Sequence, residues 1–189
     1  MVPGKRNVVI VGASAAGLRC AARLIRLEPS AEVTVVERSP VFSYAACGLP
    51  YALSGDVSSG EELRKTADGT VRDAGYFADI KGVTVRAGIR AVAIDAGARN
   101  LTLADGETLP YDELVLATGA RPRRLPQQPV HDRVHTFHTL ADLEPLVEGL
   151  KRGRIGQVAV IGAGLCGCDH FLELILTIPR QGPRWARKF

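Results

Sequence analysis

Two stretches of the chain share one pattern of apolar and polar positions. Each has a short β-branched run, then a glycine-rich hexapeptide, then apolar residues at helical spacing. The first runs from Asn7 to Val11, through G-A-S-A-A-G at 12–17, to Leu18–Leu27. The second runs from Gln157 to Ile161, through G-A-G-L-C-G at 162–167, into an apolar helix start. A change from strand to helix periodicity across a glycine turn marks a βα unit. Its recurrence about 150 residues later predicts an α/β chain: a Rossmann-like domain with a parallel sheet, then the start of a second dinucleotide-binding domain.

The residues between extend this expectation. Glu28-Pro29-Ser30 stops the first helix, and Glu32–Glu37 reads as the second strand. Residues 54–69, rich in Ser, Gly and Asp, read as a surface connection with a helical turn at Glu61–Lys65; Thr70–Ile80 reads as a helix. Val83–Arg86 and Gly88–Asp95 alternate as strands, and Leu101–Leu109 reads as a hairpin turning at Asp105-Gly106, a pair that accepts positive φ. Together they predict a small antiparallel meander inserted into the parallel pattern. Tyr111–Ala117 is a buried strand running into Thr118-Gly119-Ala120, as a parallel sheet delivers backbone amides to a ligand at its carboxyl edge. A Pro- and Arg-rich linker follows. Thr139–Lys151 is an amphipathic helix opened by Thr139 with Asp142 three residues on. The expected domains are 1–125, a linker and helix at 126–153, and an incomplete βα unit at 154–189.

The chemistry concentrates between residues 12 and 51. Gly12 permits a tight turn, Gly17 lets helix and strand pack closely, and the helix N-terminus faces a pyrophosphate. Ser14 replaces the middle glycine, which crowds the phosphate slightly. Glu37 ends the second strand twenty residues after Gly17, where an acid hydrogen-bonds a ribose. Ten residues on stands Cys47, followed by Gly48, Leu49 and Pro50, a favoured beginning for a helix. A helix N-terminus favours the thiolate, so Cys47 is a candidate redox thiol; the alternative is a small packed hydrophobe.

Residues 8–51 resemble the start of the pyridine nucleotide-disulfide oxidoreductase family, and S-Y-A-A-C-G-L-P-Y at 43–51 is similar to the active-site stretch of its single-cysteine branch. That branch holds coenzyme A-disulfide reductases, NADH oxidases and NADH peroxidases. The L-P-Y ending is closer to the first of these, although Ala46 stands where asparagine is common. The resemblance implies FAD bound by Gly12, Ser14, Ala15, Ala16, Gly17, Glu37 and Arg38, with the A-T-G segment through Thr118, Gly119 and Ala120 closing over it. It implies Cys47 against the flavin, and Arg26 and Ser43 as contacts of a small disulfide or oxidised-thiol substrate. It assigns NAD(P)H to Gly162, Gly164 and Gly167, with Cys47 passing electrons to the acceptor or, in an oxidase or peroxidase, cycling through a sulfenic acid.

Composition refines this little. Of 189 residues, 46% are apolar and 23% charged, ordinary for a globular protein. The net charge of +4 comes from Arg180, Arg184, Arg187 and Lys188 near the end, so no basic face argues for nucleic acid. Lys5 and Arg6 before an apolar stretch mimic a signal peptide, but the same residues satisfy the nucleotide pattern. No apolar run reaches membrane-spanning length, which makes a cytoplasmic, soluble protein the default.

Cys20 reads as buried packing. Cys166, Cys168 and His170 are closely spaced, yet a zinc site needs a further ligand pair. His131, His135 and His138 fall on an extended segment that scatters them, so no metal is expected. Beyond Asp169 the family likeness fades. The tail P-R-Q-G-P-R-W-A-R-K-F is no nucleotide-binding helix, and relatives run to at least twice this length with a dimerisation domain. The sequence therefore reads as a truncated or frame-shifted product, with an inactive nucleotide-binding fragment as the rival to an active enzyme.

Overall fold

The computed structural model describes residues 5–123, 131–162 and 164. The chain divides into two compact units: residues 1–44 with 64–120, and residues 45–63 with 121–189.

The first unit is built on β1 (Asn7–Val11), β2 (Glu32–Glu37), β3 (Thr84–Ala87) and β7 (Glu113–Leu116), a parallel sheet in the order β3-β2-β1-β7. β1 pairs with both β2 and β7, with Val11 opposite Val36 on one side and Leu116 on the other. Side chains of a strand alternate between faces. Val8, Ile10, Val33 and Val35 therefore share one face, where they pack with Leu18 and Ala21 of α1 (Ala15–Leu27) and Phe77 of α3 (Ala74–Lys81). Val9 and Val36 share the other face and pack with Leu101 and Leu103. Both faces are covered, which explains why apolar residues fill consecutive positions, Val8–Val11 in β1 and Val35–Val36 in β2, instead of alternating. Leu101 and Leu103 belong to β5 (Asn100–Leu103), the centre of an antiparallel sheet with β4 (Ala91–Asp95) and β6 (Thr108–Pro110).

The meander is therefore β4-β5-β6, and the strand expected at Val83–Arg86 instead joins the parallel sheet beside β2. Its register of Val35 against Val85 leaves Val83 fully buried against the helix-side core. The helix expected from Thr70 begins at Ala74 because the Asp73 carboxylate accepts from the Tyr76 N–H, capping it there. The hairpin turns at Asp105-Gly106 as its residues require, with Gly106 at φ 90°.

Arg86 on β3 and Glu107 after that turn form a two-armed ion pair, both N···O distances 2.6 Å. Hydrogen bonding to the guanidinium holds the Glu107 carboxyl below its ordinary value of 4.5 and pushes Arg86 up. A carboxyl depressed in the folded state stabilises fully above its unfolded pKa and loses that contribution as pH falls through its folded one. Arg86→Ala should accordingly flatten the fall in urea midpoint between about pH 6 and about pH 3, where linkage acts on carboxyls. An unchanged slope would show that the pair does not couple to folding.

In the second unit, Cys47 lies in a 3-10 turn, Ala46–Gly48, ahead of the short α2 (Leu49–Ser54). α2 buries Leu49, Pro50, Ala52 and Leu53 and packs with α4 (Leu140–Lys151), which buries Leu140 and Leu143. α4 opens with the capping box expected from the sequence: Thr139 accepts from the Asp142 N–H, and Asp142 accepts from the Thr139 N–H. The strand expected at Gln157–Ile161 has no ladder partner among the described residues, and Ile161 is 79% exposed. A strand exists only through bonds to a neighbour, and periodicity alone supplies none.

Candidate functional site

The carboxyl ends of β1, β2 and β7 lie side by side, and each delivers one part of the site. β1 runs into the glycine turn, β2 ends on Glu37, and β7 leads to Thr118, Gly119 and Ala120.

The glycine turn is built by close approach. Gly12 has φ 114°, and its N–H donates to the Val36 carbonyl across the strand gap at 2.8 Å. A Cβ on Gly12 would overlap the carbonyl oxygen of Ala117 and stand 2.8 Å from its carbon. A Cβ on Gly17 would run into the Gly12 carbonyl, which shows why the helix can approach the turn only as glycine. α1 then begins with Ser14, Ala15 and Ala16 exposed. Ser14 makes no side-chain cap bond and no acid occupies the first turn. The first-turn N–H groups are thus left without a side-chain anion, the condition under which a helix N-terminus accepts a phosphate.

Glu37 is half-buried beside this turn. Its Oε2 accepts from the Ala13 N–H at 2.8 Å, and its Oε1 accepts from the Ser39 N–H at 2.9 Å. Each oxygen retains a further lone pair for a hydroxyl donor. Arg38, exposed, lines an open hollow of about 510 Å³ with Gly88, Ile89, Arg90, Ala104 and Asp105. The Ile89 N–H donates to the Glu37 carbonyl at 3.0 Å, so the hollow adjoins the end of β2. Thr118, Gly119 and Ala120 are exposed, with Gly119 at φ 69°, and Ala117 donates to the Val11 carbonyl at 2.8 Å. These groups match the needs of an adenosine dinucleotide: amides for pyrophosphate, a carboxylate for ribose, and a third backbone segment alongside.

The other predicted residues fall elsewhere. Arg26 is exposed in the last turn of α1, about 16 Å of helix rise from Ala15. Ser43 is 8% exposed and adopts φ 55°, a left-handed conformation uncommon outside glycine. Cys47 is exposed and belongs to the second unit. Its turn is anchored by the Ala45 N–H donating to the Leu63 carbonyl at 2.9 Å and the Gly48 N–H donating to the Ala45 carbonyl at 2.8 Å. In the second fingerprint, Gly162 has φ 127°, close to that of Gly12. Gly164 is exposed, while Gly167, Cys166, Cys168, His170 and the tail lie outside the described residues.

Sequence reasoning missed Ala13 and Ser39, whose amides hold Glu37, and Arg90 in the hollow. Only a three-dimensional turn brings them together, and no local pattern announces it. Among the described residues no helix is long and apolar enough to cross a membrane, and no three His, Cys, Asp or Glu residues cluster as metal ligands.

Residues 6–174 match the family model described as pyridine nucleotide-disulphide oxidoreductase. The chain is 31% identical to the NAD(P)H sulfur oxidoreductase (CoA-dependent) of Pyrococcus abyssi, covering 97% of this chain and 39% of that protein. It is 29% identical to the coenzyme A disulfide reductase of Staphylococcus aureus, covering 93% of this chain and 39% of that one. The solved NAD-dependent persulfide reductase from A. fulgidus superposes with a TM-score of 0.86 at 36% identity, over 91% of this chain and 32% of that structure. The chain thus spans about two fifths of the curated relatives' length. With the fingerprint, the acid and the sheet edge in the family's order, the chain belongs to the pyridine nucleotide-disulphide oxidoreductase family.

Proposed function

We propose that the protein carrying this chain is a flavin-dependent NAD(P)H oxidoreductase whose electrons end on a sulfur acceptor, a small disulfide or oxidised thiol of the coenzyme A kind. The observation that carries this reading is the convergence of the Gly12 turn, the Glu37 carboxylate and the Ala117–Ala120 segment at one sheet edge. Family membership and relatives that act on sulfur compounds support it.

Gly12, Ser14, Ala15, Ala16 and Gly17 would hold the FAD pyrophosphate on backbone amides. Glu37 would accept from the ribose hydroxyls, with Arg38 beside the hollow and Thr118, Gly119 and Ala120 on the far side. FAD, when bound, would supply the two-electron chemistry that links oxidation of NAD(P)H to reduction of sulfur. Gly162, Gly164 and Gly167 would receive the nicotinamide cofactor.

Cys47 meets the acceptor, and its exposure supports that role. Its thiolate attacks one sulfur of the disulfide; a mixed disulfide forms and the other half leaves as a thiolate. Two electrons and a proton then cleave the mixed disulfide, releasing the second thiol and restoring Cys47. Arg26, exposed in the last turn of α1, would offer its charge to a phosphate-bearing acceptor. Ser43, buried, contributes through its backbone.

The test is anaerobic consumption of NADH or NADPH with coenzyme A disulfide as acceptor. Thiol should appear in step with cofactor oxidised. Consumption that requires oxygen instead would assign the protein to the oxidases, with Cys47 cycling through sulfenic acid. Oxidation with neither acceptor would overturn the sulfur-reductase reading.

A further inference from the structure

We propose that Glu37 is also a positioning residue, bracing the glycine turn in its binding shape before any nucleotide arrives. The Ala13 peptide is gripped from both sides. Its N–H donates to Glu37 Oε2 at 2.8 Å, and its carbonyl accepts from the Ser43 N–H at 3.2 Å. Ala13 is completely buried and Ser43 nearly so. Without the carboxylate, the Ala13 N–H would be a buried donor lacking an acceptor, a costly state that folded chains avoid.

The brace continues past β2. The second oxygen of Glu37 takes the Ser39 N–H at 2.9 Å, and the Ser39 carbonyl accepts from Gly88 at 3.2 Å. One side chain thus ties the turn after β1 to the segment after β2. The interstrand bonds reach only as far as Gly12, whose N–H donates to the Val36 carbonyl at 2.8 Å; beyond it the Ala13 N–H and carbonyl are held by Glu37 and Ser43. Carboxylate chemistry is required: two amides point at two oxygens, and a glutamine offers one oxygen and one NH2 group.

The functional consequence rests on the nucleotide-binding reading, but the brace is measurable without nucleotide. Amide hydrogen exchange on the nucleotide-free chain should show Ala13 and Ser39 protected. In Glu37→Gln, at least one of the two should exchange about tenfold faster or more, while the ladder amides of Val9 and Val35 stay unchanged. Unprotected amides in the natural chain, or unchanged exchange in the variant, would overturn the brace.

A second readout separates positioning from a ribose contact alone. A disordered turn must order before binding, so FAD association followed by flavin fluorescence should slow in Glu37→Gln. Faster dissociation with unchanged association would overturn the positioning role. Failure of the natural chain to bind FAD would sink the nucleotide reading and leave the exchange result to decide the brace.

Discussion

Gly12→Ala will lower the stability of the first unit by about 3–5 kcal/mol and remove its dinucleotide affinity in the same step. Two effects act together. At φ 114° an L side chain is strained, and the added Cβ would overlap the Ala117 carbonyl. That carbonyl belongs to backbone fixed by the Ala117 N–H bond to Val11 at 2.8 Å, so it cannot swing aside as a side-chain end could. β7 would have to move away from β1, taking Thr118–Ala120 with it. The second fingerprint provides the internal control. Gly162 has φ 127°, but no atom of the described residues stands within 4 Å of its Cβ position. Gly162→Ala should therefore carry only the backbone strain, about 1–3 kcal/mol. Urea unfolding of the two variants measures the difference; equal losses would mean that the crowding by Ala117 contributes nothing.

Cys47→Ser will abolish reduction of a disulfide acceptor and leave FAD binding intact. Serine is nearly isosteric, but its hydroxyl cannot form the mixed disulfide on which the exchange chemistry depends. Cys47 is exposed, and its turn is held by backbone bonds from Ala45 and Gly48, which serine keeps. The variant should thus fold normally, reduce its flavin with NADH, and release no thiol from coenzyme A disulfide. Thiol release at the natural rate would show that Cys47 is not the group that meets the acceptor.

The legible parts of the fold are those whose residues decide locally. β1 and β2 take the bounds expected of them, Asn7–Val11 and Glu32–Glu37, because their β-branched residues run consecutively where both sheet faces are buried and polar residues mark the ends. Thr139 and Asp142 announced a capping box, and Asp105-Gly106 a hairpin, since each feature is completed within a few residues. Partnership was not legible. Four alternating residues at Val83–Arg86 make a strand in either sheet, and only burial of Val83 under the helix side selects the parallel one. Gln157–Ile161 has strand composition without a neighbour among the described residues.

The site divides in the same way. Gly12, Gly17 and Glu37 were visible because phosphate and ribose demand those residue types at that spacing. The grip on Ala13 was not, because Glu37 and Ser43 reach that peptide only after two strands are paired and Ser43 has turned left-handed. Arg26 was read as a substrate contact from the family resemblance, and the structure sets it at the opposite end of α1 from the glycine turn.

The most direct test of the nucleotide site is the visible absorption spectrum of the purified 189-residue chain after incubation with FAD and removal of the excess. A flavin spectrum that survives, and is lost in Gly12→Ala, is the predicted result. A colourless natural chain would contradict the assignment of this sheet edge to FAD.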